Sequence, residues 1–275
     1  MYEVIFLIVL GIIWISFASI QDLRKREVDD WLSYSLIVFA LGFRFFYCLF
    51  EKGEIGFFYQ GLIGLGIFFV IGNLFYYGRF FAGGDAKLMI AIGTILPLSD
   101  SFFNNLQTFS VFFIIFLFAG AVYGLIWSLI LAFSNYKKFK KEFLRQVKEN
   151  SKIIKIIWLI GILIFVYGLF MNNLFLIIGL LFFIFEYLFI FAKAVEEVCM
   201  VRKIQAKFLT EGDWLYQDIK IRGKMIKAKW GGLNSREIKL LRKYKRYVLI
   251  KQGIPFVPVF WISFLVWIYL RNSFW

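Results

Sequence analysis

The chain has 275 residues, 61% of them hydrophobic and 22% aromatic, with a formal net charge of +14 and a mean hydropathy of +0.76. Soluble domains run at about 45–50% apolar residues, so this chain is built for a lipid solvent. The absence of histidine removes Ser-His and Cys-His nucleophilic pairs, histidine bases and histidine metal sites. Only Cys48 and Cys199 are present and no C-x-x-C occurs, which leaves neither a disulfide framework nor a cysteine metal site to argue from.

Taken in chain order, the first apolar run is Tyr2 to Ile20. It is long enough to cross a bilayer at about 1.5 Å per residue. It lacks the basic start and small-residue cleavage site of a signal peptide, so it is read as a helix that stays. Further runs are Trp31 to Phe50, Ile55 to Tyr77, Asp85 to Leu98, Thr108 to Phe133, Ile153 to Met171, Leu174 to Phe191 and Ile254 to Leu270. The expected fold is therefore an all-α multi-pass membrane protein of about eight spans. Asp85 to Leu98 is the shortest of them and needs its glycine-rich entrance to lengthen it.

Orientation follows from the basic residues. With the N-terminus outside, the connections facing the cytosol hold every lysine and arginine except Arg44, Lys52 and Arg271, as the positive-inside rule requires. The charge is then a topology signal, and no nucleic-acid partner is expected. Five segments are expected: a membrane core over 1–134, a basic connector at anionic lipid heads over 135–152, two spans over 153–191, a small α+β cytosolic segment over 192–253 and a last span over 254–275. Within 192–253, the alternation from Asp218 to Trp230 around Gly223 predicts a β-hairpin. The run from Asn234 and Ser235 predicts a capped helix. Pro255 and Pro258 mark the start of the last span.

The carboxylates are few enough to take singly. Glu3, Glu51, Glu54 and Asp100 fall at outer ends or loops, and most others sit among cytosolic basic residues. Asp22, Asp85 and Glu186 differ, because an ionisable group at or inside the hydrocarbon boundary is costly and thereby a functional candidate. Asp22 lies at the exit of the first span. Asp85 follows Gly83 and Gly84, whose missing side chains free the backbone for unusual conformations and close approach. The expected topology puts both aspartates on one side at helix boundaries. Two carboxylates meeting there would share a proton, one serving as base on a water and the other as acid to a carbonyl. Asp29 and Asp30 compete with Asp22 for the first role. Arg24 and Lys87 lie two residues beyond each aspartate, placed to support the site.

Two elements, Asp22 in Asp-Leu-Arg-Lys-Arg-Glu-Val-Asp-Asp-Trp and Gly83-Gly84-Asp85-Ala86-Lys87, resemble the type IV prepilin and archaeal preflagellin peptidases, membrane aspartic proteases of the GxGD class. Where the family motif opens with glycine, this chain has Ala82. Glu211 to Trp214 and Gly253 to Val259 look like the archaeal branch. The resemblance implies catalysis by Asp22 and Asp85 at the cytosolic face, with Gly83, Gly84, Arg24 and Lys87 around them and no metal or cofactor. It implies pilin-like or flagellin-like precursors as substrates, cut after a short basic leader. Bacterial relatives that also N-methylate carry paired C-x-x-C motifs, so peptidase activity without methylation is expected here.

Glu186 and Arg44, which fall within expected spans, fit this scheme least. They motivate a rival reading, a transporter with charges along a membrane path. A noncatalytic scaffold is the other alternative. Neither substrate identity nor oligomeric state is written in the sequence.

Overall fold

The computed structural model describes residues 2–50, 55–229 and 231–274, with side chains up to Arg271. Glu51, Lys52, Glu54 and Trp230 lie outside the described residues. The helices are α1 (Tyr2–Lys25), α2 (Asp30–Phe50), α3 (Ile55–Tyr77), α4 (Gly83–Ile92), α5 (Phe102–Ser134), α6 (Tyr136–Glu149), α7 (Ser151–Phe170), α8 (Asn173–Val198), α9 (Ser235–Tyr244) and α10 (Val257–Phe274). Among the described residues, six are long and apolar enough to cross a membrane: α1, α2, α3, α5, α7 and α8. The protein is a multi-pass membrane protein. α10 is a shorter apolar helix. The run expected as a fourth span is the ten-residue α4 followed by turns, because the chain bends at Gly93 instead of continuing the helix.

The chain divides into two compact units, residues 1–124 with 254–275 and residues 125–253. In the first, α4 packs against α2 and α3, and α1 against α2 and α10. Leu88, Met89, Ala91 and Ile92 of α4 are buried among Phe68, Phe112, Phe116, Phe260 and Phe264. A Cβ on Gly64 of α3 would run into the carbonyl oxygen of Gly93, so glycine there sets the close approach of α3 to the end of α4.

Backbone polar groups that leave a helix inside an apolar bundle need partners from elsewhere. Arg44 supplies them for the turn after α4. It is fully buried. Its Nε donates to the Thr94 carbonyl at 3.0 Å, Nη1 to the Phe57 carbonyl at 2.9 Å and Nη2 to the Pro97 carbonyl, while its guanidinium lies 4.3 Å from the Phe57 ring centre. Asn105 continues the same work: its Oδ1 accepts from the amides of Leu98 and Ser99, and its Nδ2 donates to Gln60 and the Ser99 carbonyl. The rival membrane-path reading loses one of its two residues here, since Arg44 binds backbone.

In the second unit, α7 and α8 form an antiparallel hairpin closed at Asn172, whose side chain accepts from the Leu174 amide. The strands are β1 (Val201–Gln205), β2 (Trp214–Leu215), β3 (Ile219–Ile221), β4 (Lys224–Ile226) and β5 (Tyr247–Lys251). β5 lies antiparallel between β1 and β2. β3 and β4 form the expected hairpin, turning through Arg222 and Gly223, both at positive φ, as a tight two-residue connection requires. α9 begins with the expected cap: Asn234 accepts from the Glu237 amide and Glu237 reaches back to the Asn234 amide, a capping box. Leu209, Leu215, Leu241, Val248 and Ile250 form its core.

Arg44→Leu strands the carbonyls of Thr94 and Pro97 in the turn after α4, at about 1–3 kcal/mol for each unsatisfied group, and lowers the unfolding midpoint of the detergent-solubilised protein. Arg44→Lys, with a single nitrogen in place of the planar fork, recovers only part of the loss. An unchanged midpoint for the leucine variant would contradict this role.

Candidate active site

Asp22 belongs to the last turn of α1 and is buried, 6% exposed. The helix ends immediately beyond it: the Arg26 amide donates to the Asp22 carbonyl at 2.8 Å with Arg26 at φ 63°, a left-handed closure of the kind that stops helices. Asp22 Oδ2 accepts from the backbone amide of Val257 at 2.9 Å. Val257 is the first residue of α10, so a carboxylate from the chain's beginning satisfies a free amide at the start of its last helix, where the helix dipole also favours negative charge. Ser19, one turn earlier, donates to the Ile15 carbonyl at 2.8 Å and meets the Val257 carbonyl at 3.4 Å.

Asp85 sits in the first turn of α4, a helix too short to be one of the membrane-length spans. The Ala82 amide donates to its Oδ2 at 3.2 Å. Burial, and after it the charge of Asp22, pushes the Asp85 carboxyl up to about 7, against the Ala82 hydrogen bond that opposes the shift. The two aspartates are therefore close enough to act on each other electrically. The same field from Asp22 reaches Tyr123 of α5, as does that of Arg26.

The other candidates fall around this pair in distinct ways. Asp29 is tied to Gln21, whose Oε1 accepts its amide at 2.9 Å and whose Nε2 donates to its Oδ2. Asp30 pairs with Lys87 at 2.6 Å, so Lys87 fastens the first turns of α4 to the start of α2. Arg24 is exposed, and the basic residue whose charge acts on Asp22 is Arg26. Gly83 and Gly84 open α4 as helical residues and are not among the positive-φ glycines. The unusual backbone expected of them is not found, because the first turn of a regular helix asks for none. A Cβ on Gly84 would come into ordinary contact with Val28 at 3.4 Å, whereas one on Gly83 would meet only Tyr76, at 3.9 Å. Sequence reasoning did not pick out the Val257 amide or Tyr123, which adjoin Asp22 only through packing of distant helices.

The model of the type IV leader peptidase family matches residues 9–129, a stretch that contains both aspartates. Over that stretch the membrane core of this chain is similar to the family. Over 89 residues the chain is 30% identical to a preflagellin peptidase of Methanocaldococcus jannaschii and 28% identical to one of Methanococcus maripaludis. Those stretches cover 32% of this chain and 37% and 38% of the relatives, so the matched region spans well under half the length of either. No solved structure matches. The family match stops before α6, so the basic connector, the α7–α8 hairpin and the β-containing segment lie outside it.

Asp22 is at once a candidate acid and the acceptor for α10, and substitutions separate the two roles. Asp22→Asn keeps an oxygen for the Val257 amide and folds with near-native stability. Asp22→Leu removes the acceptor and costs about 1–2 kcal/mol, read as a lower unfolding midpoint. Equal stability of the two variants would show that the Val257 contact carries no weight.

Proposed function

We propose that this protein is a membrane aspartic endopeptidase that removes the short basic leader from pilin-like or flagellin-like precursors at the cytosolic membrane face, with its N-terminus outside and without N-methylating the product. The observation that carries the reading is the pairing of Asp22 and Asp85, brought from the end of α1 and the start of α4 into mutual electrostatic reach. Their position inside the family's matched segment supports it, and the name of the relatives, preflagellin peptidase, supports the substrate class.

The division of labour follows from the environments. Asp22 and Asp85 each accept a backbone amide at a helix N-terminus, from Val257 and Ala82, so the assignment rests on the charge of Asp22 acting on Asp85. Asp85, raised by burial and by Asp22, is the member that holds the shared proton. In the proposed reaction, a water between them gives a proton to Asp22 while its oxygen attacks the scissile carbonyl carbon. Asp85 gives its proton to the carbonyl oxygen. Collapse of the resulting diol breaks the C–N bond: the leaving nitrogen takes the proton from Asp22, and one diol hydroxyl returns its proton to Asp85 as the new carboxyl group forms. The opening beside Gly83 gives an extended substrate strand access to these carboxylates. Asp29 and Asp30, engaged with Gln21 and Lys87, stand outside the reaction.

The test is cleavage of a pilin-like precursor with a basic leader, in membranes and at matched expression. Asp22→Asn and Asp85→Asn lose cleavage by a factor of 100 or more, about the contribution of a general acid or base, while Asp29→Asn and Asp30→Asn cut at near the wild-type rate. Wild-type cleavage by both Asp22→Asn and Asp85→Asn would overturn the proposal.

The pH profile provides an independent check. A carboxyl raised to about 7 keeps its proton below that value and loses it above, so the rate falls on the alkaline side with a midpoint near 7. The same shift makes ionisation of Asp85 unfavourable to the fold, so its contribution to stability decreases as pH rises from about 4 towards 7. A rate still rising through pH 8 would exclude Asp85 as the proton-holding member.

A further inference from the structure

Among the described residues, three that are not glycine have positive φ, and all are arginines: Arg26 at 63°, Arg79 at 65° and Arg222 at 45°. A residue with a Cβ enters this left-handed region at a cost, and glycine or asparagine usually closes a helix there. Arg222 sets its guanidinium 4.6 Å from the centre of the Tyr244 ring, and Arg79, beyond the end of α3, is exposed. Arg26 closes α1 with its amide on the Asp22 carbonyl at 2.8 Å, so its side chain starts within one turn of the Asp22 carboxylate. Glycine would make the same closure more cheaply. What glycine lacks is the guanidinium.

The surroundings show where that charge goes. Arg24 and Lys25, the last residues of α1, are exposed, whereas Arg26 is half-buried. Its charge acts on Asp22 of α1 and on Tyr123 of α5, so the side chain is turned towards the bundle. The neighbouring lysines are engaged with acids outside the dyad: Lys25 lies 3.9 Å from Asp29 and Lys87 2.6 Å from Asp30. Of the elements around Asp22, α2 brings Asp30, already paired, and α4 brings Asp85 and the paired Lys87. α5 has no charged residue, and α10 has none before Arg271 near its far end. The Val257 amide supplies a hydrogen bond to Asp22 and no net charge. A buried carboxylate in apolar surroundings is costly unless a cation accompanies it.

We propose that Arg26 is a positioning residue of the dyad: its guanidinium holds the Asp22 carboxylate charged and thereby keeps the shared proton on Asp85. The proposal rests on the peptidase reading and deepens it. Arg26 touches neither the attacking water nor the scissile carbonyl and acts through Asp22.

The test compares pH–rate profiles of precursor cleavage for the wild type, Arg26→Gly, Arg26→Gln, Arg26→Lys and Arg79→Gly, in membranes at matched expression, with Asp22→Asn in parallel. Arg26→Gly relieves the left-handed backbone, so its unfolding midpoint equals or exceeds that of the wild type. Its acid limb nevertheless moves towards neutral by about one pH unit, the shift that one nearby opposite charge gives, which is a loss of about tenfold in rate on the acid side. The alkaline limb, set by Asp85, stays where it was. Arg26→Lys keeps the charge and recovers most of the loss, and Arg26→Gln does not. Arg79→Gly makes the same backbone change under an exposed side chain and leaves the profile unmoved. A profile of Arg26→Gly that superimposes on the wild type, a shift that lysine fails to reverse, or an equal shift in Arg79→Gly would overturn the proposal. If the glycine variant does not accumulate, the comparison of Arg26→Lys with Arg26→Gln decides by the same criterion. With Asp22→Asn inactive, those outcomes count against Arg26 alone, whereas wild-type cleavage by Asp22→Asn removes the reading on which the proposal rests.

Discussion

The arrangement of the membrane core depends on Arg44 and the three backbone carbonyls it satisfies. A ten-residue helix that ends inside an apolar bundle leaves carbonyl groups with neither helix nor water to bind them. Without an internal donor, α4 would be driven either to lengthen into a full span or to leave the bundle. The guanidinium lets it do neither. Five donors in one plane reach three carbonyls on different segments, and the Phe57 ring covers the charge from one face. With the C-terminal end of α4 fixed in this way, and its first turns tied to α2 through Lys87 and Asp30, Asp85 has a fixed place from which to meet Asp22.

The second aspartate is held by the opposite end of the chain. Asp22 closes α1 and accepts the first amide of α10, so the proposed site is assembled from α1, α4 and α10, with Tyr123 of α5 in its field. Both carboxyls accept a backbone amide at a helix N-terminus, and what sets them apart is the charge of Asp22, which adds to burial at Asp85. Unlike surroundings are what an acid and a base require if they are to differ at the same pH. The α10 helix thus serves a purpose beyond crossing or entering the membrane.

Much of the fold was legible in the residues because it rests on local chemistry. Seven of the eight apolar runs became helices close to their expected bounds, since composition alone drives a membrane helix. The hairpin around Gly223 and the cap at Asn234 were equally local, set by a turn that needs positive φ and a side chain that reaches three residues along. The misreading came at Asp85 to Leu98. Its apolar composition suits a span, but the bend at Gly93 and the turn beyond it are maintained by Arg44, Gln60 and Asn105, residues 33 to 49 positions upstream or some 12 downstream, about which a sliding window carries no information. The glycines at 83 and 84 were expected to take an unusual backbone, and they take an ordinary helical one.

By itself the sequence determined the solvent this protein lives in, the positions of its long apolar helices and the two aspartates worth comparing, because hydrophobic runs, the absence of histidine and cysteine motifs, and acids at span boundaries are all properties of short segments. Only the tertiary structure decided that Asp30 belongs to Lys87, that Asp29 belongs to Gln21, that Arg44 binds backbone instead of another charge, and that Asp22 accepts the Val257 amide while its charge reaches Asp85. Each of those outcomes is a choice among several possible partners for one polar group. Partner choice in an apolar interior is made by which helices pack together, a property of the whole bundle that no local pattern contains.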